Sequence, residues 1–183
     1  MSNKLDLSKE LIGRRALVTG GTRGIGAAIA QRLLNAGAKV VVAARTHSDD
    51  TPTAETFVAG DVTTSEGVDA IATEAIAALG GLDILVNNAG GGRAFLGGSW
   101  TIPDKQWQDG FALNLFAAIR LTNAVLPALR TSKAAAVVNI SSAAAVIPFA
   151  PFAHYGAAKA ALELDIPRSS LRGWPLLPRS LRN

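Results

Sequence analysis

The chain has 183 residues, 49% of them apolar, with eighteen glycines and no cysteine; this composition describes one globular domain and excludes disulfides and thiolate metal sites. Four of its eighteen basic residues, Arg168, Arg172, Arg179 and Arg182, carry the whole net charge of +4, so residues 1–165 are neutral and lack the basic face of a nucleic-acid binder. No apolar run approaches the roughly 20 residues of a membrane span, the start lacks a signal-peptide pattern, and His47 and His154 have no metal-ligand spacing, so a cytoplasmic protein is expected, with no metal, membrane or nucleic acid.

Ala16-Leu17-Val18-Thr19 reads as a short apolar strand, followed at once by Gly20-Gly21-Thr22-Arg23-Gly24-Ile25-Gly26 and a helical pattern from Ala27 to Ala36 that stops at Gly37. A plain tight turn needs one or two glycines, whereas this one has four in seven residues. Such a turn lets the backbone approach a pyrophosphate, and the helix N-terminus adds free N–H groups and partial positive charge. The second strand, Lys39 to Ala44, ends at Arg45, where an acidic residue would grip a ribose 2′-hydroxyl. Arg45 and Arg23 instead suit a 2′-phosphate, which favours NADP over NAD; the alternative is two solvated surface arginines.

Thr46 to Thr53 is polar, contains Pro52, and is too short for a full helix before the third strand, Thr56 to Ala59. That strand leads into Gly60-Asp61-Val62, and a fourth, Leu82 to Val86, leads into Asn87-Asn88-Ala89-Gly90. The glycine-rich stretch from Gly90 to Ile102 is expected to be flexible and to abut a substrate pocket. Phe95, Trp100, Ile147 and Phe149 hint that this pocket is apolar, although such residues also cover core edges. A helix is expected through Gly110 to Phe116, and a fifth strand, Ala136 to Ile140, delivers Ser141 and Ser142 to the same sheet edge.

The last motif is Tyr155-Gly156-Ala157-Ala158-Lys159. Residues at i and i+4 share a helix face, and a cation one turn from a phenol favours the phenolate. Ser142, thirteen positions before the tyrosine, can hold the oxygen atom that exchanges the proton. Alone, a tyrosine and a lysine at this spacing are commonplace; the motifs upstream give the pair its meaning.

Thr19-Gly20-x-x-x-Gly24-x-Gly26, Asp61-Val62, Asn87-Asn88-Ala89-Gly90, Asn114, Ser142 and Tyr155-x-x-x-Lys159 follow the order and spacing of the NAD(P)-dependent short-chain dehydrogenase/reductases, which residues 12 to about 163 resemble. The resemblance implies that Tyr155 is the general acid in reduction and the base in oxidation. It further implies that Lys159 assists it and binds the nicotinamide ribose, that Ser142 orients the carbonyl, and that Asn114 supports a water linking Lys159 to solvent. Ser141 competes with Ser142, but the family's interval to the tyrosine selects Ser142 and leaves Ser141 facing cofactor or core. The implied cofactor contacts are Gly20, Thr22, Arg23, Gly24, Ile25 and Gly26 in the turn, Arg45 beyond the second strand, and Asp61 and Val62 at the adenine. Asn88, Ala89 and Gly90 line the ribose, and Tyr155 and Lys159 complete the set.

The expected fold is therefore a Rossmann-type three-layer α/β sandwich with a parallel sheet in the order 3-2-1-4-5, without the family's last two strands. Its domain covers residues 1–165, and residues 166–183 form an atypical basic Pro/Arg-rich tail. Pro167 should stop the helix after Tyr155 at or before Ile166. The family helix runs further and packs on a partner subunit in its dimers and tetramers, so association should be weakened. The tail resembles out-of-frame or foreign sequence, or is a genuine short terminus. The expected function is an oxidoreductase moving a hydride between NADP(H) and a small-molecule carbonyl/alcohol pair. The alternatives are a truncated, catalytically impaired nucleotide-binding module, or a tail that anchors the chain to nucleic acid or acidic membrane.

Overall fold

The structure, a computed structural model, describes residues 9–54 and 56–165. Its elements follow the chain as β1 (Arg15–Thr19), α1 (Gly24–Asn35), β2 (Lys39–Ala44), β3 (Thr56–Ala59), α2 (Ser65–Leu79), β4 (Ile84–Asn87), α3 (Asp104–Phe111), α4 (Ala117–Thr131), β5 (Ala136–Asn139) and α5 (Ala153–Asp165). All strand pairs are parallel and their order is β3-β2-β1-β4-β5, as expected. In register, Val18 lies between Val42 of β2 and Val86 of β4. The Pro167 stop and the tail 166–183 lie outside the described residues.

A sheet covered on both faces needs apolar residues at every position, and Val40, Val41, Val42 and Ala43 are all fully buried. The two-residue strand period sorts them. Leu17, Val41 and Leu85 face the layer of α2 and α4, where Ile71, Leu121, Val125 and Leu129 pack. Ala16, Val18, Val40, Val42 and Val86 face the other layer, against Ala30 of α1. The chain leaves β1 for β2 and β3 on one side, then returns to β4 on the other. That reversal opens a crevice at the C-terminal ends of β1 and β4.

Helix ends follow local chemistry. Gly37, with φ 86°, stands just past α1; its N–H donates to Leu34 O and that of Ala38 to Leu33 O, closing the helix with paired bonds. The helix itself starts at Gly24 rather than Ala27, inside the glycine turn. Thr64 caps α2 by accepting from Gly67 N at 3.0 Å. Of the abbreviated turn or short helix that the short polar sequence between β2 and β3 allowed, the described residues form turns and no helix.

The expected helix through Gly110 to Phe116 exists but changes pitch. Ala112–Phe116 is a π-helical segment between α3 and α4. The whole helical run, Asp104–Thr131, is 28 residues long, and its most apolar 18-residue stretch has mean hydropathy 1.4, enough by length and composition to cross a membrane, which the sequence reading did not foresee. Its Leu121, Val125 and Leu129 are buried in the core between α2 and the sheet.

Candidate active site

The crevice is a cleft of about 1120 Å³, bordered by the glycine turn, the end of β2, Gly60 to Thr63, Asn88 to Gly90, and Tyr155 and Lys159 of α5. Thr19, the polar residue that ends β1, ties it together. Its buried hydroxyl accepts from Asn88 N and Ala89 N at 3.0 Å each and donates to Val86 O at 3.3 Å. The Asn88 amide donates to Thr19 O at 2.9 Å and Gly20 O at 3.2 Å, so that side chain fastens the two turns to each other. Sequence reading did not single Thr19 out as a site residue; a hydroxyl closing an apolar strand was the available signal.

The glycines are required by contact. A Cβ on Gly26 would lie 2.1 Å from Gly20 O and 2.4 Å from Asn88 Nδ2, while Gly20 itself has φ 63°. No side chain caps the N-terminus of α1 and no acidic residue stands in its first turn, so its amides face the cleft unopposed. Arg23 and Arg45 both line that end. Uncapped amides, a glycine cradle and two guanidiniums fit the phosphates of a dinucleotide.

At the third strand end, the Asp61 carboxylate accepts from Thr63 N at 2.8 Å and Thr63 Oγ1 at 2.7 Å. Those bonds, aided by the charge of Arg45, hold its carboxyl below the usual range. Asp61 thus shapes the turn before α2, and Val62 lines the cleft beside it.

At the opposite end, Tyr155 and Lys159 sit one turn apart on α5. Lys159 is 3% exposed; its Nζ donates to Ile140 O at 2.7 Å and lies 5.9 Å from the centre of the Tyr155 ring. Burial pushes its pKa down. Asn114, on the π segment, is also buried. Its amide donates to Gly91 O at 2.8 Å and Gly110 O at 2.9 Å, and its Oδ1 accepts from Gly91 N at 2.9 Å. Gly90 fits between the two, because a Cβ there would be 2.8 Å from Asn114 Oδ1 and 3.2 Å from Lys159 Nζ.

The two serines separate. Ser141 lines the cleft and donates to Glu163 Oε1 at 2.5 Å. Ser142 is not among the cleft-lining residues. Its Oγ accepts from Ala144 N at 3.2 Å and caps a short 3₁₀ turn, Ala143–Ala145, that packs on α5 at Gly156. His154, next to the tyrosine, escaped sequence reading except as an isolated histidine. It is 2% exposed, stands edge-on to Phe95 and Trp107, and its Nδ1 has no hydrogen-bond partner among the described residues.

The sequence model of the short chain dehydrogenases matches residues 14–164. The chain belongs to this family. Among curated relatives, an uncharacterized oxidoreductase of Mycobacterium tuberculosis is 40% identical over 164 residues, covering 80% of this chain and 59% of that protein. A 3-oxoacyl-acyl-carrier-protein reductase of Vibrio cholerae is 36% identical, covering 82% and 63% respectively. Among solved structures, a short chain dehydrogenase from Mycobacterium smegmatis superposes with a TM-score of 0.79 at 31% identity, over 87% of this chain and 71% of the other. The short-chain dehydrogenase chain described here therefore spans about three fifths of the length of the curated relatives it matches.

Proposed function

We propose that the protein is an oxidoreductase that moves a hydride between NADP(H) and a carbonyl/alcohol pair, with Tyr155 as the proton-transfer group. The observation that carries this reading is the pairing of Tyr155 with a buried Lys159 in the same cleft as the uncapped amides of α1. A bound nicotinamide dinucleotide would supply the hydride; the chain's own residues manage binding and the proton. The first turn of α1 and Gly20 to Gly26 hold the phosphates, and Arg23 and Arg45 select the 2′-phosphate. Lys159, anchored on Ile140 O, keeps its amine beside the tyrosine ring. In reduction, the Tyr155 hydroxyl gives its proton to the carbonyl oxygen; in oxidation it takes the proton back. Ser142, whose hydroxyl caps the turn at Ala144 outside the cleft lining, is the group we assign to orienting that oxygen, on its thirteen-residue interval to Tyr155 alone. Asn114 fixes the loop at Gly91 that borders the cleft.

Fluorescence titrations of NADPH and NADH, run beside turnover on a panel of ketones, test the reading. NADPH should bind more tightly, Arg45→Asp should cut that preference about tenfold or more, and Tyr155→Phe should lower turnover by roughly 10²-fold or more. Cofactor binding without turnover, unaltered by Tyr155→Phe, would instead mark a nucleotide-binding module.

A further inference from the structure

Two loops meet beside Tyr155. One, residues 91–101, follows β4; the other, residues 143–152, follows β5. Phe95 N donates to Pro151 O at 2.9 Å and joins them. Together they present large apolar side chains to solvent: Leu96 is 92% exposed, Ile147 65% and Phe149 58%. Three rings spaced three residues apart lead along the second loop to the phenol. Phe149 stacks on Phe152 with centres 5.7 Å apart and planes 16° apart, and Phe152 stands edge-on to Tyr155 at 6.4 Å. Gly92 lets the first loop close on this row, because a Cβ there would lie 3.0 Å from Tyr155 Cβ and 3.4 Å from Phe152 Cδ1.

We propose that this row is a substrate subsite selecting carbonyl compounds with a bulky uncharged aromatic substituent, which lies on Phe149 and Phe152 while the carbonyl reaches Tyr155. The inference rests on the reading of Tyr155 given above and adds the substrate class. Charge supports it: residues 141–153 contain no charged side chain, and the single charge in residues 90–101, Arg93, lies over the Phe95 ring at 5.4 Å. A polar substituent would lose water here without gaining partners, whereas an aromatic one gains stacking. Pro148 and Pro151 restrict the backbone of the second loop, so little ordering is needed on binding. Continuity of the ring row with the phenol marks a substrate as the occupant rather than another protein.

The test uses the full chain, 2-acetylnaphthalene as the aromatic probe and hydroxyacetone as the small polar one. Direct binding is followed by probe fluorescence, with NADPH-dependent turnover measured in parallel. The aromatic probe should bind and hydroxyacetone should fail to displace it. Phe149→Ala should weaken the probe roughly tenfold, with Phe149→Leu intermediate, and should lower the aromatic-to-small ratio of kcat/KM by a similar factor. Because Phe149 is largely exposed, both variants keep the fold. Equal use of the two ketones, with a ratio indifferent to Phe149→Ala, overturns the subsite and leaves Tyr155 standing. Probe binding that falls in Phe149→Ala with no turnover by any form upholds the subsite and counts against Tyr155. Sedimentation adds a last check: a dimer that Phe149→Ala dissociates, with probe affinity unmoved, assigns the face to self-association and overturns the proposal.

Discussion

On the function proposed above, Lys159 pulls stability and activity in opposite directions. Its ammonium is held in a site that burial makes unfavourable for charge, with one carbonyl as its recorded partner. Lys159→Met should therefore lower kcat by roughly 10²-fold or more while raising Tm by about 2–4 °C. A thermal scan in which the variant melts well below the parent would refute this account. His154 is a second test at the same scale. Its pKa is lowered by burial from 6.5, so the unfolded chain takes up a proton that the folded one refuses. The stability it supports is whole above pH 6.5 and declines as the pH falls from there through the folded value. Urea midpoints between pH 5 and 8 should show this decline, and His154→Phe should flatten it. The Tyr155–Lys159 pair was legible because i and i+4 are fixed neighbours on any helix. The bonding role of Thr19, read only as the first residue of the glycine motif, and the packing of His154 were not, since their partners, Asn88 in one case and Phe95 and Trp107 in the other, stand tens of residues away.

At the scale of elements, the change of pitch at Ala112–Phe116 is the feature no periodicity announced. A π segment adds one residue to a turn, and such turns recur at functional sites because they re-aim side chains without ending the helix. Here the segment carries Asn114, whose amide group makes three hydrogen bonds, two of them to Gly91. Asn114→Ala leaves those backbone groups without partners, and should cost about 2–3 kcal/mol in denaturant unfolding along with most of the turnover. Full stability in that variant would show that the loop at Gly91 is held by something else. The strands, by contrast, were read nearly to the residue, because turn chemistry bounds each apolar run. The fourth was placed early, at Leu82, whereas β4 begins at Ile84; an apolar pattern does not reveal where the regular ladder starts, and Asp83 just before it bonds through its backbone to Arg15 O and Ala136 N.

For the molecule as a whole, the strand order was legible because alternating strands and helices with short connections leave few right-handed parallel arrangements. What escaped is the network at the end of the sheet remote from the cleft. Asp83 accepts from Arg15 N at 3.0 Å, Nε at 2.9 Å and Nη2 at 3.1 Å, and from Ser132 Oγ at 2.5 Å. This holds its carboxyl near pKa 2 against an ordinary 3.8. A depressed acid contributes stability above 3.8 that is lost as the pH falls through 2, a span of about 2 kcal/mol. Asp83→Asn should lose at least that much at neutral pH and show a shallower acid-unfolding curve, by circular dichroism. An unchanged acid limb would mean the pairing is ornamental.

The Arg15 guanidinium also donates to Gly80 O, so the same grip reaches the turn that closes α2 and, through Ser132, the end of α4. Acid tolerance and the proposed substrate choice thereby fall at opposite rims of one sheet. A protein engineer could harden the lower rim and reshape the upper mouth in separate rounds, with little expectation that gains at one would be forfeited at the other.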